Sequence, residues 1–214
     1  LLENGLDCMV YLDNNVNTLT LIEQIYGAGQ QIADFLVITV GRGIGLGIVA
    51  NGQIVRGAIG GAGEFGHTVI DPAGFACNCG KRGCLETFVA DPWLVRRAQM
   101  HGLDVDGPDL LTALAEAGNT RAQDVFAEAG TVLGYAVANL VNLFNPSLLI
   151  ISGEGVRAGD LLFAPMRAAM QQHMFAQLAE AVEICVEPLT DITWARGAAS
   201  LVLEKLFSIP EVNA

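Results

Sequence analysis

Two spacings of apolar residues alternate along this chain. Phe35–Val40 (FLVITV) and Leu148–Ile151 (LLII) are near-continuous apolar runs of strand length, the pattern of strands covered on both faces. Cys8–Leu12 (CMVYL) and Val182–Val186 predict two further strands. Ile48–Ala50 and Gln53–Val55 flank Asn51-Gly52, a pair suited to a tight hairpin turn. Elsewhere the spacing is helical. Leu19, Leu21, Ile22, Ile25 and Tyr26 predict a helix that Gly27 and Gly29 stop. Glu86–Gln99 predicts a helix that Pro92 is placed to break, and His101–Asp109 reads as a connector. Leu110–Ala117, Arg121–Phe144, Leu161–Leu178 and Ala195–Phe207 predict four more helices, the second ended by Asn145-Pro146. Strands with a hairpin, then alternating helix and strand, give an α/β architecture. Two lobes are expected: residues 1–90, and a mainly helical 91–214 with short parallel strands.

Composition narrows the class. The 214 residues are 52% hydrophobic and 16% charged, a balance that builds a buried core and excludes disorder. No apolar run reaches the roughly 18–20 residues of a membrane span. The net charge of −12 argues against nucleic-acid binding by these residues, because phosphate needs a basic face. Five cysteines, an odd number, together with no export signal point to a reducing, cytoplasmic setting and to metal chemistry. The opening LLENGL, without an initiating Met, reads as the end of a helix, and so as a fragment or a processed chain.

Three of the cysteines lie in one stretch, Gly60–Thr87, as Cys77-x-Cys79-x4-Cys84, and His67 precedes them by ten residues. Three thiolates and one imidazole fill the tetrahedron that zinc prefers, leaving no open position for an activated water, so such a site is structural. The alternatives are inert buried thiols or one disulfide. Glu64 and Glu86 bracket the cluster. Two fixed carboxylates can grip adjacent hydroxyls of a sugar, or they can be surface acids. His67 can place one ring nitrogen on the metal and turn the other to a ligand or an acid. Asp13-Asn14-Asn15-Val16-Asn17 is a polar cluster between a strand and a helix, suited to helix capping or to a ligand site. Gly41, Gly43, Gly45 and Gly47 alternate along the chain; they would admit a phosphate or sugar to the backbone, or simply make a tight turn.

Together, GEFGH at 63–67 and CNCGKRGCLE at 77–86 resemble the signature of the ROK family of sugar-responsive repressors and sugar kinases. VGRGIGLGIVANG (40–52), ISGEG (151–155) and WARGAASLVLEKL (194–206) resemble its phosphate-loop and nucleotide-lobe segments. The resemblance implies an actin-like, ribonuclease H-like fold with sugar bound between lobes. It places Asn14, Asn15, Glu64, His67 and Glu86 on the sugar and His67, Cys77, Cys79 and Cys84 on zinc, and it makes Gly41, Gly43, Gly45, Gly153 and Gly155 remnants of a phosphate loop. Kinase members carry an Asn-Asp pair whose Asp is the general base. Aligning YLDNNVN on that pair puts Asn14 on the Asn and Asn15 on the Asp, and an amide cannot take the proton. Asp13, two residues earlier, would face the same side on an extended backbone. The expected protein is therefore the sugar-sensing part of a ROK-type transcriptional regulator, a repressor, with ATP and magnesium unneeded. Its DNA contact would come through an N-terminal helix-turn-helix upstream of this sequence, and it would assemble as a homodimer or homotetramer. The alternative is an ATP-dependent sugar kinase.

Overall fold

A computed structural model describes residues 5–189 and 191–207. Residues 1–4, read above as part of a helix end, lie outside them. Five strands form one mixed sheet: β1 (Phe35–Val40), β2 (Ile44–Ala50), β3 (Gln53–Ile54), β4 (Leu148–Ser152) and β5 (Glu183–Val186), in the order β3-β2-β1-β4-β5. β1, β2 and β3 pair antiparallel, β4 joins β1 in parallel, and β5 joins β4 in parallel. The β2–β3 turn is Asn51-Gly52, and both residues have positive φ (52° and 76°), as a hairpin turn of matched twist requires.

The apolar run of β1 is explained by helices on both faces. Leu36, Ile38 and Val40 enter a larger core, while Phe35 and Val37 enter a smaller one, and none of the five is more than 1% exposed. The larger core is roofed by α3 (Asp91–Met100), α4 (Pro108–Glu116), α5 (Thr120–Phe144) and α6 (Asp160–His173). The smaller lies under α1 (Asn15–Tyr26) and α8 (Asp191–Phe207), through Leu19 and Trp194. A Cβ at Gly47 would overlap the Thr20 hydroxyl, so this glycine lets α1 lie close on β2. Gly45 meets Val16 and Thr39 in the same way.

The structure departs from the sequence pattern in two places. Cys8–Leu12 is not a strand: Cys8, Met9 and Leu12 are exposed, and no β-ladder among the described residues includes the segment. A short apolar run states hydrophobicity but not a pairing partner, and a strand needs both. The helix expected over 161–178 breaks after His173 and resumes as α7 (Ala176–Ala179). Asn142 of α5 holds the break, its side chain accepting from Phe175 N (2.8 Å) and donating to His173 O (3.2 Å). The alternating glycines run from the turn at Gly41–Gly43 into strand β2 from Ile44 onward. β1 and β4, which lie on opposite sides of residue 90 in the sequence, are hydrogen-bonded neighbours in the sheet. Pro92 acts as expected: α2 (Glu86–Val89) ends at Ala90, and Pro92 sits in the first turn of α3.

Candidate functional site

The turn between β1 and β2, Gly41-Arg42-Gly43, forms the floor of a cleft of about 420 Å3. Asp91 N, at the start of α3, donates to Gly41 O (2.8 Å), and the Asp91 carboxylate is paired with Arg157 (2.6 Å), which ties the turn to the helical side. The cleft walls bring together residues far apart in sequence: Asn14 and Asn15 at the start of α1, Glu64 and Glu86, Thr39 and Arg42, and Glu154 and Trp194. Of the expected sugar contacts, Asn14, Asn15, Glu64 and Glu86 line it. His67 stands behind Glu64, its Nε2 3.9 Å from the Glu64 carboxylate. Gly41, Gly43 and Gly45 line the cleft. Gly153 borders a neighbouring cavity with Val156, Arg157, Val186 and Pro188, and Gly155 packs against Val40. The pattern reading did not single out Glu154, Arg42 or Trp194. Glu154 was inside a quoted motif, ISGEG, but only the glycines on either side of it suggested a ligand.

Asn14 serves two purposes. Its side-chain oxygen accepts from Val16 N (2.8 Å), capping α1, and the residue also faces the cleft. Asn15 opens the helix beside it. Asp13 is turned to other work. Its carboxylate accepts from Asn14 N (2.8 Å), from the Asn17 side chain (2.7 Å) and from Arg56 Nε (2.8 Å), and Arg56 reaches on to Glu204 of α8 (3.1 Å). Burial would raise the Asp13 carboxyl, but the bonds from Asn17 and Arg56 outweigh it and hold the group below its ordinary range. A carboxylate with three donors and a depressed proton affinity is a poor base, and Asp13 does not line the cleft.

Beside the cleft, His67, Cys77, Cys79 and Cys84 converge, and their donor atoms all lie within 4.8 Å of one another. His67 Nδ1 is 3.6 Å from Cys77 Sγ, and Cys79 Sγ is 3.6 Å from Cys84 Sγ. All four are unbridged thiols or imidazole, the donor set a thiophilic divalent cation takes in four-coordinate form. The local chain is shaped for it. Gly80 N bonds Cys77 O (3.0 Å) and Cys77 N bonds Lys81 O (2.8 Å), making a knuckle. At Gly83 φ is +65° and a Cβ would overlap Asp71 O, so only glycine passes there. Burial and the neighbouring Cys79 and Cys77 thiols push the Cys84 thiol up to about 12, whereas a backbone bond from Lys81 lowers that of Cys79. A bound cation would supply the positive charge that lets these packed thiols ionise together.

A mixed five-stranded sheet with helices on both faces, and a polar cleft at the β1–β2 turn next to a His/Cys3 cluster, is an α/β protein of the actin-like sugar-kinase class. The chain belongs to the ROK family, whose model matches residues 1–205. A glucokinase of Halalkalibacterium halodurans is 36% identical, covering 99% of this chain and 69% of its own length. A xylose repressor of Caldicellulosiruptor bescii is 31% identical, covering 94% of this chain and 54% of its own. Among solved structures, a ROK hexokinase from Thermus thermophilus superposes with a TM-score of 0.86 at 31% identity, covering 97% of this chain and 70% of that one. The chain thus spans about two thirds of the glucokinase and about half of the repressor. Similarity to both kinds of relative supports the family without deciding between regulator and kinase. No helix among the described residues is long and apolar enough to cross a membrane.

Proposed function

We propose that this chain is the sugar-binding, effector-sensing part of a ROK-type transcriptional regulator, a repressor, without kinase activity. One observation carries the reading: the cleft position at which the family resemblance calls for a general-base Asp holds Asn15, and Asp13 is bound to Arg56 outside the cleft. In this account the amides of Asn14 and Asn15 and the carboxylates of Glu64 and Glu86 bind hydroxyls of an uncharged sugar from opposite walls. None of them takes a proton from it. His67, Cys77, Cys79 and Cys84 hold zinc, which when bound supplies structural cross-linking and no water activation, since four protein donors close its shell. His67 then passes the rigidity of that centre to Glu64 through its second nitrogen. Sugar shifts the population of lobe arrangements and, through a homodimer or homotetramer, the spacing of DNA-binding heads. With a net charge of −12, these residues do not themselves supply the basic DNA-binding element.

The kinase alternative draws support from the glucokinase similarity. Calorimetric titration of the intact protein with xylose, glucose and N-acetylglucosamine tests the sensor reading. At least one sugar binds, and Glu64→Gln and Asn15→Ala each weaken it by about tenfold, the loss of one hydrogen bond to a polar ligand. Binding that neither substitution alters would place the sugar elsewhere.

A further inference from the structure

Glu154 stands where two cavities meet. It lines the cleft together with Gly41, and it also borders the neighbouring cavity with Gly153 and Arg157. Its carboxylate lies against Gly41 so closely that a Cβ there would overlap Oε2. Across the same turn, a Cβ at Gly43 would stand 3.0 Å from the Glu86 carboxylate. The two glycines that would leave amides open to a phosphate therefore each face an acid instead. Gly41 N–H is itself used within the turn, donating to Gly43 O (3.1 Å). Counting charged groups on the wall gives three carboxylates, Glu64, Glu86 and Glu154, against one guanidinium, Arg42.

We infer that Glu154 is a specificity-determining residue that makes this cleft reject phosphorylated ligands and accept uncharged polyols. The inference rests on the sugar-binding reading above and sharpens its ligand class. The physical cause is like-charge repulsion at short range, by which a carboxylate beside the turn discriminates against a phosphate dianion far more than against a hydroxyl. A side chain at Gly41 would meet the Glu154 carboxylate first, so the acid occupies the space beside the turn.

The test is a titration of the intact protein and its Glu154→Gln variant with glucose, glucose 6-phosphate and inorganic phosphate. Trp194 in the cleft reports binding by fluorescence, in a Trp93→Phe background that removes the other tryptophan of these 214 residues. In the unsubstituted protein the phosphate ester binds at least about tenfold more weakly than glucose. In Glu154→Gln the ratio of ester to glucose affinity rises about tenfold, and inorganic phosphate gains affinity in parallel, both effects shrinking at high salt. An ester that binds the unsubstituted protein as well as glucose does, or a variant with unchanged affinity for inorganic phosphate, overturns the inference. If glucose binds neither protein, the ligand choice of the sensor reading fails, and the phosphate titration alone decides the role of Glu154.

Discussion

At the residue scale, Asp13 and Asn15 show how context assigns chemistry. The two are close in sequence, yet Asp13 is spent on Asn14, Asn17 and Arg56 while Asn15 faces the cleft. The sequence carried the identity of both residues but not the Arg56 partner, which arrives from 43 positions away. Glu23 on α1 is a second residue whose surroundings decide its behaviour. It is 7% exposed, and burial raises its carboxyl above the ordinary range, against a bond from Ala28 N and with further repulsion from Glu187. A raised folded-state value means that the folded chain holds the proton more tightly than the unfolded one. Stability then falls as pH climbs from the ordinary glutamate value through the raised one. Glu23→Gln removes that loss. Denaturant melts should show it about 1 kcal/mol more stable than the unsubstituted protein at pH 7, with the difference vanishing below about pH 4. Equal stability gains at both pH values would show that proton linkage is not the cause.

At the element scale, strands β1 and β4 and helices α3 to α5 were legible because their periodicity and their stops coincide: Pro92 opens α3, and Asn145 closes α5 in the left-handed region (φ 45°). Cys8–Leu12 was not, because strand formation depends on a neighbour that local pattern cannot name. The break after His173 was hidden for a similar reason, since the Asn142 side chain that fixes it comes from another helix. The His67–Cys84 segment was the most legible of all, because ligand type and spacing carry the chemistry, and the structure brings its four donors together. If zinc is what orders it, a chelated sample loses bound zinc, originally one per chain, and melts at least about 5 °C lower, equivalent to about 2 kcal/mol for a chain of this size. Sugar affinity falls in the same sample, because His67 and Glu64 share the loop, and both return with added zinc. A metal-free protein that melts and binds sugar as before would separate the cluster from the cleft.

At the scale of the whole molecule, the described residues form one sheet body whose cleft opens at a single turn, with the His/Cys3 cluster on one side and α1 on the other. β4 pairs in parallel with β1 across more than a hundred residues, a long-range contact invisible to periodicity. The cleft draws on residues from Asn14 to Trp194, so only the family motifs, and not local pattern, joined its walls in advance. The central claim is that this cleft senses a sugar without phosphorylating it. The most direct test is a coupled ADP-release assay on the intact protein with ATP, magnesium and each sugar that calorimetry shows to bind. The account predicts no ADP release above the sugar-free rate. Sugar-dependent turnover, abolished by substituting Asn15 or Asp13, would contradict it and make the protein a kinase.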